Sequence, residues 1–173
     1  FMAANKSLYP VKWLTLTAIF MALNVVMSSF SVPVPGGHFY LNDIVICTAA
    51  LLFDPVAAFF VGGVGAFLGD LFFYPTPMFV SLAVRGLQAI VIALCARHLA
   101  KGKGRLGAVI GLLLGAVIMV VGYSLGRAFI YSTPAYAWAK LPWQIGMAAL
   151  GVVTAPLLVY KCGLEKLYKK LFK

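Results

Sequence analysis

Acidic side chains are scarce in this sequence, which has only four of them among 173 residues. They are Asp43, Asp54, Asp70 and Glu165, and the three aspartates fall at the ends of apolar runs. General acid–base catalysis and metal chemistry need several carboxylates or histidines that converge at one place. The sequence therefore predicts no catalytic site, no metal site and no cofactor bound by this chain.

Cysteines and nucleotide-binding motifs are equally sparse. Cys47, Cys95 and Cys162 form no CxxC pair, and an odd count argues against a disulfide framework. We expect all three to be small apolar core residues. The GxxxxGK[ST] pattern that cradles nucleotide phosphates is missing, and so is the HExxH pattern of zinc proteases. If the protein drives uptake of a solute, the energy must therefore come from a partner.

Apolar residues, in contrast, make up 63% of the chain, charged residues only 10%, and the mean hydropathy is +1.00. A soluble domain of this size cannot bury so much apolar surface, so the composition indicates a polytopic membrane protein. We predict an all-α bundle of six transmembrane helices in one membrane domain, residues 1–173. The predicted spans are about 12–30, 41–53, 56–73, 78–97, 106–130 and 141–160.

The second span and the C-terminal tail differ from the other segments. The second span is shorter than the roughly 20 residues that a full crossing needs, so it is tilted or supplemented by the preceding loop. The tail, residues 161–173, has Leu164, Leu167, Tyr168 and Leu171 at helical spacing among lysines. This pattern is typical of an amphipathic helix at the membrane surface.

Basic residues predict the orientation of the bundle. Three basic groups fall on one side of a six-span bundle, whereas Lys140 alone lies on the other side. The groups are Lys6 and Lys12; Arg97, Lys101, Lys103 and Arg105; and Lys161, Lys166, Lys169, Lys170 and Lys173. The positive-inside rule then places both termini in the cytoplasm and explains the net charge of +10 without a nucleic-acid partner. The first apolar run is too long for a signal peptide, so we expect it to be retained.

Polar residues within the spans lie almost entirely in the outer half of the predicted bundle. They are Asn24, Asp43, Asp70, Arg85, Gln88, Arg127, Trp143 and Gln144. Polar and charged groups in a bilayer are costly and usually functional. The pattern predicts a bowl that is open to the outside and sealed on the inside. A channel is disfavoured, because it needs a polar path through both halves.

Several of these residues are also compatible with purely structural roles. Asp70 and Arg85 either pair across the YPTP turn or face a ligand. Asp43 either caps the second helix, by accepting from free backbone amides, or belongs to the site. Trp138 and Trp143 also suit anchors at the membrane interface.

The loop SVPVPGGHFYLND, residues 31–43, connects the first two spans. The charge pattern places this loop on the outside, above the polar half of the bundle. We therefore predict that it forms the lid of a binding pocket, with Gly36 and Gly37 as a flexible joint.

Four features together resemble the substrate-binding S component of an energy-coupling factor (ECF) vitamin transporter. They are the six-span size, the PVPGGHFYLND loop, the segment GGVGAFLGDLFFYP, and the AxxxA pair formed by Ala18 and Ala22. The resemblance implies a bacterial plasma-membrane protein that binds a vitamin from outside, beneath the loop between helices one and two. It also implies docking through Ala18 and Ala22 to a transmembrane scaffold subunit with two ATPases, followed by toppling in the membrane and release inside.

Within this family the loop and third-helix patterns look similar to the branch for hydroxymethylpyrimidine or pyridoxine. Such ligands need aromatic stacking and a few directed hydrogen bonds. The candidate substrate-binding residues are His38, Phe39, Tyr40, Asn42, Arg85, Gln88, Tyr123, Arg127, Trp143 and Gln144. Two arginines leave pantothenate or another carboxylate open, whereas a modest supply of aromatic residues disfavours riboflavin and folate.

Three other classes of protein remain as alternatives. A stand-alone secondary transporter predicts an ionisable group near the membrane midplane, which the pattern does not provide. A membrane enzyme that uses Asp43 or Asp70 predicts more catalytic groups at one level. A non-transporting assembly subunit predicts no ligand affinity.

Overall fold

The computed structural model describes residues 9–35, 37–99 and 104–172. Some predictions fall on residues outside these ranges. They concern Gly36 as part of a flexible joint, and Lys6, Lys101, Lys103 and Lys173 as cytoplasmic charges.

Helices form most of the described chain. They are α1 (Tyr9–Ser29), α2 (Asn42–Leu52), α3 (Pro55–Phe59), α4 (Gly65–Phe73), α5 (Met78–His98), α6 (Gly104–Gly126), α7 (Pro134–Pro156) and α8 (Leu164–Leu171). A π-helical turn at Phe60–Val64 joins α3 to α4, and similar turns extend α6 through Arg127–Tyr131 and α7 through Leu157–Lys161. Five segments are long and apolar enough to cross a membrane, namely Pro10–Ser29, Pro55–Phe73, Met78–His98, Arg105–Tyr131 and Pro134–Lys161.

Helix α2, the predicted second span, is too short to cross a bilayer alone. Its 11 residues rise about 16 Å, whereas the hydrocarbon core is about 30 Å thick. Nine of these residues are buried, and Ile46 packs with Ile92 and Leu112 in a core where all three are 0% exposed. A helix that is buried on all sides lies inside the bundle and not against lipid. In the described part of the chain, five long spans surround this short helix. It runs from the hairpin end of the bundle to the opposite end, where Trp13 near the start of α1 donates to Asp54 just after α2.

The loop before α2 is an antiparallel β-hairpin, which the sequence did not predict. Strand β1 (Ser31–Val34) pairs with β2 (Gly37–Tyr40), with Ser31 opposite Tyr40 and Val34 opposite Gly37. Gly37 has a φ of 147°, which other residues rarely adopt. The paired strands make this loop a structured element rather than a freely hinged one.

Helix α7 begins at Pro134, seven residues before the predicted start of the sixth span at 141. Pro134 occupies the first turn, where a missing amide hydrogen costs nothing. Pro142 lies inside the helix. As a result Lys140 lies within α7 and not in an outer loop.

Small residues allow close packing of the long helices. A Cβ atom on Gly63 would lie 3.0 Å from Gly86 Cα on α5, so the two backbones nearly touch there. The cysteines fit the prediction less well, because Cys47 is buried but Cys162 is exposed.

The C-terminal tail forms helix α8, as its amphipathic spacing predicted. Tyr168 packs edge-on against Phe53, with ring centroids 5.5 Å apart. Leu167 and Leu171 stay 54% and 42% exposed, so the other side of α8 keeps apolar groups for a membrane surface.

Candidate functional site

A cavity of about 310 Å³ lies at the end of the bundle that carries the hairpin. Strand β2, the start of α2, the turn before α5, and helices α6 and α7 contribute to its wall. The polar residues that line it are Asn42, Asp70, Arg85, Arg127, Ser132, Lys140 and Gln144. Its aromatic residues are Tyr40, Tyr74, Tyr123, Tyr131 and Tyr136, and Met119 and Met147 add apolar surface.

Arg85 and Asp43 form an ion pair at the base of this cavity. Arg85 Nη1 lies 2.6 Å from Asp43 Oδ1, and the side chains are 2% and 0% exposed. Gln88 donates from Nε2 to the same carboxylate oxygen at 3.1 Å and accepts from Arg85 Nη1 at 3.1 Å. Residues three apart share a helix face, so α5 presents Arg85 and Gln88 together to α2. The attraction between the two charges offsets much of the free-energy cost of burying them.

This pair corrects two structural alternatives drawn from the sequence. Asp43 does not cap α2, because the N-cap position is held by Leu41 and has no side-chain hydrogen bond. Asp70 is not the ion-pair partner of Arg85. Asp43 is the one carboxylate within 4 Å of Arg85 among the described residues.

Asp70 belongs to a second hydrogen-bonded chain in the cavity wall. Ser81 Oγ donates to Asp70 Oδ2. Tyr123 Oη donates to Ser81 Oγ at 2.6 Å, and the Arg85 guanidinium lies 5.2 Å from the centre of the Tyr123 ring. This chain connects α4, α5 and α6, so it holds the charged groups of the wall in one arrangement.

A third group of polar residues comes from α7 and from the π-helical turn after α6. Arg127 Nη1 donates to Gln144 Oε1 at 3.1 Å, and Gln144 Nε2 donates to the Met119 carbonyl at 3.2 Å. Lys140 lies one turn before Gln144 on the same face of α7, with its ammonium 5.7 Å from the centre of the Tyr40 ring. Arg127 and Lys140 are only 6% and 5% exposed.

Tyrosines supply both ring faces and hydroxyl groups to the cavity. Burial, together with the negative charge of Asp70, raises the pKa of Tyr40 above its ordinary value. Tyr40 is therefore a neutral hydrogen-bond donor at physiological pH. The buried Tyr131 hydroxyl has no hydrogen-bond partner among the described residues.

With this geometry in place, comparison with known proteins identifies the family. Residues 9–166 match the family described as the ECF-type riboflavin transporter, S component. The chain belongs to this family. Its members are membrane-embedded transporter subunits and not enzymes, which agrees with the predicted transport class. Membership of the family implies a small-molecule substrate, an ECF scaffold subunit and ATPase partners.

A solved structure and two sequence relatives resemble this S component. The structure, described as the S component of a bacterial ECF transporter, superposes with a TM-score of 0.69 at 19% identity and covers 90% of this chain and 97% of that one. An uncharacterised Pyrococcus woesei protein is 31% identical over 135 residues, 76% of this chain and 88% of its own length. A Streptococcus agalactiae UPF0397 protein is 26% identical over 155 residues, 82% of this chain and 85% of its own length.

Six of the ten candidate substrate-binding residues of this S component line the cavity. They are Tyr40, Asn42, Arg85, Tyr123, Arg127 and Gln144. These residues are separated by up to 104 positions in sequence, and the packing of α2, α5, α6 and α7 brings them together. Their contact with a substrate stays a prediction.

The other four candidates lie outside the cavity wall. Trp143 is 43% exposed on the outer surface of α7, and Phe39 packs beside the Met119 and Met147 cluster. His38 contacts the Tyr74 ring at a centroid distance of 5.5 Å, and Gln88 lies beneath Arg85. Phe39 and Tyr40 both pack against the Met119 and Met147 cluster, but of the two only Tyr40 lines the cavity. The sequence analysis proposed His38 and Phe39 as contacts from the loop and Gln88 and Trp143 as wall residues, and whether these four contact a substrate stays a prediction.

The sequence analysis also missed several cavity residues. Lys140 was counted as a charge on the outer side, before the predicted start of the sixth span at 141, whereas it lies within α7. Tyr74, Tyr131 and Tyr136 lie in or beside the loops that frame the cavity, and nothing in their spacing marked them. The supply of aromatic residues is therefore large, and the sequence argument that called it modest was wrong.

The AxxxA pair lies on the outer surface of α1, away from the cavity. Ala18 and Ala22 are exposed, and neighbouring Leu14 and Val26 are 63% and 51% exposed. This surface presents small residues where another helix can approach closely.

One short match to a hydrolase motif does not describe a catalytic site. Residues 122–126 read GYSLG, the GxSxG spacing of a nucleophile elbow. Such an elbow requires a sharp turn between strand and helix, whereas this segment lies inside α6.

Proposed function

We propose that this S component captures a small, flat vitamin or vitamin precursor in the hairpin-end cavity, from the outer side of a bacterial plasma membrane. The observation that carries the proposal is the cavity itself. This cavity combines tyrosine rings with fixed hydrogen-bonding groups at one end of an otherwise apolar bundle. A protein that only assembled other subunits would have no use for such a costly buried polar site.

The base of the cavity supports capture rather than conduction. Beneath the Asp43–Arg85 pair the core is apolar, and Ile46, Ile92 and Leu112 are 0% exposed. A solute that reaches the Asp43–Arg85 pair has no polar path onward, so release on the other side requires movement of the whole subunit.

The cavity size favours a single-ring ligand. A volume of about 310 Å³ lies at the lower end of the roughly 300–1,000 Å³ that is common for ligand pockets. Hydroxymethylpyrimidine and pyridoxine are flat rings with short polar arms. They match the combination of tyrosine faces with the Asn42 and Gln144 amides, and they are our first candidates.

Riboflavin is the second candidate, and two observations favour it. The family is described as a riboflavin transporter component, and five tyrosines line the cavity. A three-ring flavin offers more surface for stacking than a single ring, but it would fill most of the available volume.

Delivery of the ligand is assigned to partner subunits. The exposed face of α1 around Ala18 and Ala22 would dock the transmembrane scaffold, and two ATPases would supply the energy. In the proposed orientation both termini are cytoplasmic and the hairpin faces outward, as the lysine and arginine distribution favours.

The test uses the full chain alone in lipid nanodiscs. Co-purifying small molecules are identified by mass spectrometry, and titration calorimetry then measures hydroxymethylpyrimidine, pyridoxine, pantothenate and riboflavin. We expect tight one-to-one binding of one of these compounds. If none binds and none raises the unfolding temperature, the proposal fails. Substrate accumulation in liposomes that contain this chain alone would instead favour a stand-alone secondary transporter.

A further inference from the structure

The charges that line the cavity do not balance. Arg85 is matched by Asp43 in the buried ion pair. Two cations then remain, Arg127 and Lys140, against the single carboxylate of Asp70. In the described part of the chain no carboxylate lies within 4 Å of either cation.

Both unmatched cations are held at the cavity by neutral groups. Arg127 donates to the Gln144 amide oxygen and lies 5.7 Å from the centre of the Tyr131 ring. Lys140 lies over Tyr40 and is 5% exposed. Rings and amides attract a cation only weakly compared with a carboxylate, so part of the cost of burying these charges is uncompensated.

The hairpin leaves room for the Lys140 ammonium. A Cβ atom at Gly37 would lie 2.9 Å from Lys140 Nζ, so a larger residue there would displace the ammonium. A buried hydroxyl without a partner, that of Tyr131, adds a hydrogen-bond donor to the same region of the wall. Two cations and a free donor form the group of contacts that a carboxylate or phosphate requires.

We propose that the cavity selects a ligand with an anionic group, a carboxylate or a phosphate, and binds that group between Lys140 and Arg127 with the Tyr131 hydroxyl. Lys140 and Gln144 share a face of α7 and Arg127 is bonded to Gln144, so the two cations converge on one side of the cavity. The ligand ring then lies toward the Tyr40 and Tyr123 rings. This inference rests on the proposed function and refines it, since the acidic or phosphorylated form of a vitamin should bind more tightly than its neutral counterpart.

Matched ligand pairs test this inference, since the members of each pair differ only in the anionic group. The pairs are pantothenate with panthenol, pyridoxine 5′-phosphate with pyridoxine, and riboflavin 5′-phosphate with riboflavin. Affinities are measured by calorimetry on the full chain in nanodiscs. We expect the anionic member of at least one pair to bind about tenfold tighter or more, because charge-assisted hydrogen bonds are roughly twice as strong as neutral ones. The pantothenate pair reports on a carboxylate and the other two pairs report on a phosphate.

Variants then locate the contact. Lys140→Met and Arg127→Gln should each abolish most of the anionic preference, whereas Lys140→Arg should keep it. Lys161→Met and Arg105→Gln are the controls, because they remove the same charges from exposed positions at the other end of α7 and α6. These two should leave the preference unchanged.

The outcomes separate this inference from the proposed function. If neutral members bind as tightly as their anionic counterparts, or if the preference survives both Lys140→Met and Arg127→Gln, the anionic assignment is overturned while vitamin capture stands. If no member of any pair binds, the anionic assignment falls, and vitamin capture falls with it only if hydroxymethylpyrimidine also fails to bind. The comparison within each pair uses the wild-type chain, so a variant that fails to fold does not remove the test.

Discussion

Asp43 on α2 and Arg85 on α5 form a fully buried ion pair with 2.6 Å between Oδ1 and Nη1. The pair joins the short inner helix to a full-length span and forms the base of the cavity. The pair therefore holds two helices together and also borders the cavity, because Arg85 is one of the lining residues.

Loss of one partner of this pair should destabilise the fold. Asp43→Asn leaves Arg85 buried without its counter-charge, and we expect a loss of about 3–5 kcal/mol in the free energy of unfolding. Thermal unfolding in detergent measures the change. Glu165→Gln, which breaks the exposed Glu165–Lys169 pair on α8, is the control and should cost no more than about 0.5 kcal/mol. Equal stability of Asp43→Asn and wild type would contradict a stabilising role for the pair.

A second prediction concerns the stacking surface. Tyr40→Ala removes a ring from the cavity wall, and we expect ligand affinity to fall by about tenfold. Trp143→Ala removes a larger ring from the surface of α7 and should leave affinity unchanged. Calorimetry measures both variants with the compound that binds the wild-type chain in the nanodisc titrations. A larger loss for Trp143→Ala than for Tyr40→Ala would return Trp143 to the site and contradict the cavity described here.

The hairpin glycine provides a third prediction. Gly37→Ala places a Cβ atom 2.9 Å from Lys140 Nζ at a φ of 147°, so either the strand or the ammonium must move. We expect ligand affinity to fall by at least about fivefold, because such backbone strain costs on the order of 1–3 kcal/mol. Gly146→Ala is the matched control, since the new Cβ atom would meet only Phe39, at 3.8 Å. Unchanged affinity in Gly37→Ala would show that the position of Lys140 under the hairpin does not matter for binding.

A fourth prediction separates capture from delivery. Ala18→Trp and Ala22→Trp put a large ring on the exposed face of α1, so we expect scaffold association and vitamin uptake to be lost. Ligand affinity of the isolated S component should stay at the wild-type value, because this face lies away from the cavity. Pull-down of the scaffold and uptake by cells measure the first effect.

The control for this prediction is Ala149→Trp, which adds the same ring to an exposed position on α7. It should leave both scaffold association and ligand binding intact. If the α1 variants lose ligand binding as well, the α1 face does not act in docking alone.

Composition and spacing determined most of the architecture by themselves. Hydropathy located the ends of the long spans within about two residues, apart from the start of the sixth, because the need to bury apolar side chains in lipid acts on each segment separately. The amphipathic tail followed from local spacing in the same way. Arg85, Arg127 and Gln144 were also singled out from sequence, since polar side chains in a membrane segment are rare enough to stand out.

Only the tertiary structure decided how those residues combine. It paired Arg85 with Asp43 instead of Asp70, because the direction of α5 turns the Arg85 and Gln88 face toward α2. It placed Lys140 inside α7, since Pro142 is accommodated within the helix and does not begin it. It also paired residues 31–34 with residues 37–40 in a hairpin that places Tyr40 in the cavity wall and Phe39 against Met119 and Met147. Each of these features depends on contacts between segments far apart in sequence, which no local pattern records.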